Sequence, residues 1–346
     1  MVFTSARMLL GLFLLAATCM AAAPEDVPAP TKKTGPASVK PIPESVEDLK
    51  AIEKQVKAVL KKAMPATVAI IIPDPKSGGI SAGSGVIITE DGFVLTAGHI
   101  SQTPNQKCTL VLPDGKRING ETLGWNRSRD AGLIKITDKG KWPSIKTGDS
   151  TKVVQGQWCL TVGHPGGYKP GRPPVVRLGR VLFSNRQWIQ TDTPLVGGDS
   201  GGPLFDLEGN VIGIHSWISQ SINGNMHVPV NTYKDNWDRM VKGEEWGRAL
   251  GSPDRPRSPV YLGVAFDLDT DDLKVTDVYT KTPASAAGIR TGDVLLTIDE
   301  RKLARRPDLL NYLMKKKPGD SVAIELDRNG KTMKVTVTLG KQRSED

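Results

Sequence analysis

The chain has 346 residues, more than one average domain holds, and its 38% hydrophobic content is enough to bury ordinary cores, so two domains are expected. The formal charge of +9 comes from basic residues that are mostly scattered, with only a short run at Lys315 to Lys317. It describes a solvated surface and gives no ground for a nucleic-acid partner.

At the start, Arg7 precedes an apolar run from Met8 to Ala17, and a small-residue stretch ends at Ala23. This is the layout of a secretory signal peptide over residues 1–23, cleaved near Ala21 to Ala23. The run is shorter than the roughly 20 apolar residues of a spanning helix, so no membrane span is expected in the mature chain. Cys19 is a poor lipoprotein site, because Thr18 stands where such sites carry a smaller residue. The mature chain is therefore expected to be exported, either periplasmic or secreted, and loss of Arg7 leaves a charge of +8. Cys108 and Cys159 remain, both in apolar runs, and two buried free thiols are expected rather than a disulfide framework.

Residues 24–45 are rich in proline, lysine and small residues without apolar periodicity, and read as a flexible tether. "VEDLKAIEKQVKAVLKKAM" places Leu49, Ile52, Val56, Val59 and Leu60 at helical spacing, with Pro65 as a stop. Short apolar runs broken by turns then continue to about Val230, among them "ATVAIII", "GSGVIIT", "GFVLTA", "CTLVL", "AGLIKI", "QWCLTVG", "RVLFS" and "WIQTD". Many close strands without long helices between them predict antiparallel β barrels or sandwiches, here two small barrels. "NTYKDNWDRMVKGEEWGRAL" reads as helical and completes a first domain at 46–250, and residues 251–258 form a linker. A second, α+β domain at 259–341 has strands "YLGVAF", "KVTDVY", "DVLLTID", "SVAIELDR" and "KVTVTL", and one helix with Leu309, Leu310 and Leu313 on one face.

The chemistry centres on "VGGDSGGPLF", residues 196–205. A serine hydroxyl is a poor nucleophile at neutral pH and needs a base, usually a histidine held in one tautomer by a carboxylate. His99 in "LTAGHI", Asp130 in "SRDAGLIKI" and Ser200 supply such a set, each at a strand end or turn. The glycines around Ser200 permit a turn whose N–H groups, at Gly198 and Ser200, meet a tetrahedral oxyanion. "GDSGG" also satisfies the nucleophile-elbow pattern of α/β hydrolases. The order His, Asp, Ser, and the two strands joined by a turn at Glu208 to Asn210 after the serine, fit a barrel instead. His164, His215 and His227 lack companions at ligand spacing, so neither a metal nor another cofactor is expected.

These segments, with "GSGVIITEDGFVLTAGHI", "IQTDTPLVGGDSGGPLF" and "HVPVNTYKD", resemble the trypsin-like serine proteases of the HtrA (Deg) family, and residues 259–341 resemble that family's PDZ domain. The resemblance implies a chymotrypsin-like double β-barrel in which Ser200 is the nucleophile, His99 the general base and Asp130 its orienting carboxylate. It also implies a substrate pocket lined by Pro194, Ser216 and Trp217, apolar or small because Pro194 stands where trypsins carry a selecting acid. Leu262, Gly263 and Val264 would grip a C-terminal carboxylate, beside a groove walled by the Leu309 helix. An ATP-independent endopeptidase for unfolded or misfolded proteins, assembled as a homotrimer, follows from the same likeness. The alternative is a chaperone or peptide-binding scaffold whose protease domain is normally inactive.

One departure stands out: Asp199 occupies a position where this family usually has asparagine. In digestive trypsins an aspartate there binds a new chain terminus, but no Ile- or Val-Gly-Gly start precedes the first barrel strand, so the partner of Asp199 is open. Residues 165–180 correspond to the family's mobile activation loops.

Overall fold

The computed structural model describes residues 42–73, 79–218, 222–247, 258–267 and 272–341. The expected signal peptide, nearly all of the tether, and the linker up to residue 257 lie outside the described residues.

Helix α1 spans Val46–Ala66, and Ser45 caps it by accepting from the Asp48 N–H at 3.1 Å, a contact worth about 1 kcal/mol. Ile52, Val59, Ala63 and Ala66 are buried, Val56 and Leu60 half-buried, and Leu49 is exposed, so the apolar stripe is narrower than its spacing implied. Pro65 does not stop the helix. It lies in the last turn, where the Thr67 hydroxyl caps the Ala63 carbonyl at 3.0 Å.

The first barrel is built from β1 (Thr67–Pro73), β2 (Ile80–Ile87), β3 (Phe93–Ala97), β4 (Lys107–Val111), β5 (Arg117–Asn126) and β6 (Ala131–Ile136). They pair in the order β5-β4-β1-β2-β3-β6, and β5 to β6 closes the ring. The second barrel comprises β7 (Trp158–Gly163), β8 (Val175–Ser184), β9 (Ile189–Thr191), β10 (Pro203–Asp206), β11 (Val211–Ile218) and β12 (Asn225–Pro229). Strand β8 starts at Val175, so the connection read as a loop over 165–180 ends six residues earlier than expected. The paired run Val175–Val176 opposite Gly163 and Val162 is what draws those residues into the sheet.

Each barrel has its own apolar interior: Val68, Ile70, Ile87, Val94 and Ile134 fill the first, and Cys159, Val181, Ile189, Leu204 and Ile212 the second. A further cluster joins Val59 and Ala63 of α1 to Val86 and Leu95 of the first barrel and Leu160, Phe205 and Ile214 of the second. Phe205 is fully buried there. Phe205→Ala is expected to cost about 3–5 kcal/mol, read as a lower urea midpoint at unchanged slope. A loss below about 1 kcal/mol would show that the barrels do not share this core.

Cys108 and Cys159 are buried free thiols, as expected. Burial pushes the Cys108 thiol up to about 12, so it is unreactive at neutral pH.

The segment read as one helix after Val230 breaks into two short helices, Asn231–Asp235 and Trp237–Val241, and Gly243, at φ +73°, ends them. Strand β13 (Glu245–Trp246) then pairs in parallel with Trp125–Asn126 of β5.

The C-terminal domain holds β14 (Val260–Tyr261), β15 (Val264–Phe266), β16 (Val275–Val278), β17 (Val294–Ile298), β18 (Arg301–Lys302), β19 (Ser321–Arg328), β20 (Lys331–Thr338) and β21 (Gly340–Lys341). "YLGVAF" is two strands because Gly263, at φ +89°, turns the chain against Thr282. In the helix Arg306–Leu313, Leu309 and Leu313 enter the core and Leu310 is only half-buried. Among the described residues no helix is long and apolar enough to cross a membrane.

Candidate active site

His99 and Asp130 come from the first barrel and Ser200 from the second. His99 lies in a one-turn helix, Gly98–Ser101, that directly continues β3. Asp130 precedes β6 in the left-handed conformation, at φ +55°. The segments are joined by Gly98 N–H to the Asp130 carbonyl at 2.8 Å, His99 N–H to Asp130 Oδ1 at 2.7 Å, and His99 Nδ1 to Asp130 Oδ2 at 2.9 Å and Oδ1 at 3.1 Å. A carboxylate only accepts, so the imidazole proton sits on Nδ1 and the lone pair of the neutral ring is on Nε2. Burial of part of the ring opposes its protonation, but the hydrogen bond and charge of Asp130 outweigh that and raise the His99 pKa above the ordinary 6.5.

Ser216 links the two barrels, a role its reading as a pocket wall did not include. Its hydroxyl donates to Asp130 Oδ2 at 2.5 Å, and its carbonyl lies 3.5 Å from Ser200 Oγ. Asp130 Oδ2 is thus shared by the His99 ring and the Ser216 hydroxyl, while Oδ1 takes the His99 N–H. Among the described hydrogen bonds of Ser200 Oγ, none reaches the imidazole.

The backbone of Ser200 is fixed by its carbonyl, which accepts from Ser84 N–H at 2.8 Å. Just before it, the Gly197 carbonyl accepts from Gly166 N–H at 2.6 Å. In a trans peptide the N–H points opposite to the carbonyl, so the Gly198 N–H is directed away from the 164–167 turn. Neither the Gly198 nor the Ser200 N–H has an intramolecular acceptor among the described residues. Gly198 has φ +95°, and a Cβ there would lie 2.5 Å from the His164 carbonyl oxygen. Gly201, at φ +86°, leaves no room for a Cβ against the Ser84 carbonyl and the Thr96 hydroxyl. These contacts explain why glycines surround the serine.

Of the expected pocket residues, Ser216 is buried, Pro194 is exposed, and Trp217 is 41% exposed and packs edge-on against Trp188 with centroids 6.1 Å apart. Leu195, next to Pro194, is held by Asn225 Oδ1, which accepts its N–H at 2.9 Å. Asp192, close to Pro194 in sequence, accepts from Arg180 N–H at 2.6 Å.

The other histidines serve the packing. His215 and His227 face each other with Nδ1 atoms 3.0 Å apart, and His227 Nε2 lies 2.8 Å from the Thr191 hydroxyl. Burial holds His227 at about 3 and His215 well below the ordinary range, and burial with the nearby Arg172 charge lowers His164 to about 4. Among the described residues no three His, Cys, Asp or Glu side chains are arranged to hold a metal.

In the C-terminal domain Leu262 and Gly263 are buried and Val264 is half-buried. The Leu262 carbonyl accepts from Ala284 N–H at 2.8 Å and the Gly263 carbonyl from Tyr279 N–H at 3.0 Å. The following amides, at Gly263 and Val264, therefore point the other way. Strand β15 pairs with β16 on one edge, and no other strand of the described residues takes its second edge.

Comparison with known proteins agrees with this layout. Residues 83–214 match the trypsin-like peptidase domain model and residues 260–339 the PDZ domain model. A probable periplasmic serine endoprotease DegP-like of Halomonas elongata is 31% identical over 75% of this chain and 56% of its own length. A protein of the same description from Pseudomonas putida is 29% identical over 86% of this chain and 64% of its own. The chain thus spans 56–64% of the length of these two relatives. The HtrA-type protease AlgW solved with a tripeptide shares the fold, at 24% identity and a TM-score of 0.50, over 83% of this chain and 97% of that one. With two closed antiparallel barrels followed by a PDZ domain, the chain belongs to the HtrA/Deg family of trypsin-like serine proteases.

Proposed function

We propose that the chain is an exported, periplasmic serine endopeptidase that hydrolyses unfolded or damaged proteins without ATP through an acyl-enzyme. The observation that carries this reading is the Asp130 carboxylate, which accepts from both the backbone and the ring of His99 and from Ser216 beside Ser200. With Nδ1 protonated, His99 Nε2 takes the Ser200 Oγ proton as Oγ bonds to the scissile carbonyl carbon. The oxyanion that forms meets the Gly198 and Ser200 N–H groups. As the C–N bond breaks, the imidazolium passes its proton to the leaving amine. Water then repeats the sequence on the ester, restoring Ser200. Ser200 Oγ, which at rest faces the Ser216 carbonyl at 3.5 Å, turns to His99 Nε2 when substrate excludes water, since catalytic hydrogen bonds are often completed only in the substrate complex.

Pro194, Ser216 and Trp217 line the substrate pocket in this reading, and the absence of an acid at Pro194 favours small aliphatic side chains before the cut. The PDZ domain takes C-terminal peptides as an added strand on β15, with the Leu262, Gly263 and Val264 segment at the carboxylate. It delivers substrate or regulates the protease within a homotrimer. Sequencing of cleavage sites in an unfolded proteome tests this: cuts after small aliphatic residues, absent with Ser200→Ala, are expected. A strong preference for Lys or Arg would contradict the pocket assignment.

A second reading, a chaperone or peptide-binding scaffold with a normally inactive protease, is favoured by the Ser200 hydroxyl, whose described hydrogen bond goes to the Ser216 carbonyl and not to His99. It requires that casein remain uncut with or without C-terminal peptides.

The pH profile separates the histidines. His164, His215 and His227 are held neutral down to acidic pH, so the acid limb of kcat/KM belongs to His99. Hydrolysis needs its neutral form, and its pKa is raised, so the limb is expected to have its midpoint above 6.5. A midpoint below that value would mean that Asp130 does not act on His99 as its geometry implies.

A further inference from the structure

Asp199 lies between the two amides assigned to the oxyanion and is fully buried. Its Oδ2 accepts from Val196 N–H at 3.0 Å and meets Arg177 Nη2 at 3.0 Å. Its backbone closes the same turn: Asp199 N–H donates to the Val196 carbonyl at 3.1 Å, and its carbonyl accepts from Gly202 N–H at 2.9 Å. Gly163 packs against the carboxylate so closely that a Cβ there would lie 2.6 Å from Asp199 Oδ1. Among the described residues Asp199 Oδ1 and Arg177 Nη1 have no hydrogen-bond partner. The contact is therefore a single charged hydrogen bond, not a two-point clamp.

Arg177 is in β8, opposite Thr161 of β7, within a run of barrel pairs. Its backbone is fixed by the sheet, and its side chain is 19% exposed while that of Asp199 is 0%. A carboxylate buried without a counter-charge is strongly unfavourable. Without Arg177 the carboxyl would take up a proton or move outward, and an outward rotation reorients the Gly198 and Ser200 amides on either side.

We propose that Arg177 is a positioning residue for the reaction: its ion pair with Asp199 holds residues 196–202 in the form whose Gly198 and Ser200 amides face the oxyanion. The latch is internal to the folded barrel. It takes the place that a new chain terminus has in digestive trypsins, so the turn is set by folding and not by cleavage. An asparagine at 199 would need no counter-charge, and Arg177 would then be dispensable.

This rests on the proposed hydrolytic function, and the test separates the two. Wild type, Arg177→Met, Arg177→Lys, Asp199→Asn and Arg177→Met/Asp199→Asn are compared in full-length chain by steady-state peptide hydrolysis. Hydrogen exchange of the peptide covering residues 196–202 is read alongside. R177M is expected to lower kcat about a hundredfold or more, the typical cost of one oxyanion donor, with KM changed less than about threefold. R177K is expected to stay within about tenfold of wild type, and the double variant to recover to within about tenfold of D199N. Exchange in residues 196–202 is expected to rise in R177M and return in the double variant. If R177M does not fold, a folded double variant as active as D199N supports the latch. Wild-type kcat in R177M, or a double variant no better than R177M in both kcat and exchange, overturns it. Inactive wild type with the expected exchange pattern would reject the hydrolase and leave the latch standing.

Discussion

Ser200→Ala is expected to lower kcat on an unstructured protein such as casein by about a millionfold, the scale seen when a serine nucleophile is removed from an intact triad. The size follows from the division of labour in the proposed mechanism: there the hydroxyl is the group that bonds to the substrate, and no other side chain is assigned that role. What survives is the contribution of the Gly198 and Ser200 amides and of binding, roughly a thousandfold or more over water. The fold is expected to be unaffected. The described hydrogen bond of Ser200 Oγ is a 3.5 Å contact, whereas its backbone is fixed independently through Ser84. Stability should therefore stay within about 0.5 kcal/mol of wild type. A variant that keeps more than a small fraction of activity would place the nucleophile elsewhere.

Asp130→Asn is expected to cost about ten-thousandfold in kcat while leaving the fold intact. Asparagine tolerates the left-handed backbone at this position, where φ is +55°, so the turn is preserved. The carboxylate accepts from His99 N–H, His99 Nδ1 and the Ser216 hydroxyl. An amide offers one acceptor oxygen and an NH₂ group that must face either the ring and Ser216, in place of Oδ2, or the His99 N–H, in place of Oδ1. Facing the ring, it selects the tautomer with the proton on Nε2, the wrong nitrogen for removing the Ser200 proton. The charge that raises the His99 pKa is also lost, so the residual activity should have its acid limb at lower pH than wild type. Activity within about tenfold of wild type, measured by kcat on a peptide substrate, would contradict the role of Asp130.

The barrels are legible in the sequence wherever strands carry continuous apolar runs, as in β1, β3, β6 and β7. Strand β5, "RINGETLGWN", is not legible, because two glycines and polar residues make it read as a loop. The structure shows why they are there: a Cβ at Gly124 would lie 2.7 Å from the Met240 Cα and the Glu244 carbonyl, and Gly120 packs on Leu110. Glycine here serves close approach between elements, which no period records. The three proposed catalytic residues are marked in the sequence because each sits in a distinctive local context, a small-residue turn or strand end, in one chain order. Ser216 and Arg177 are not. Their roles come from side chains that meet Asp130 and Asp199 across 86 and 22 residues of chain, and Arg177 lies in a stretch whose prolines and glycines suggest a loop. Asp199 signalled a missing partner, but only barrel registry identifies it.

Whether His99 and Asp130 from one barrel activate Ser200 on the other is tested most directly by intact-mass analysis after exposure to diisopropyl fluorophosphate. One adduct per chain is expected, mapped to Ser200, abolished in Ser200→Ala and slowed severely in His99→Ala. No adduct at neutral or mildly alkaline pH, or an adduct that persists in Ser200→Ala, would contradict it.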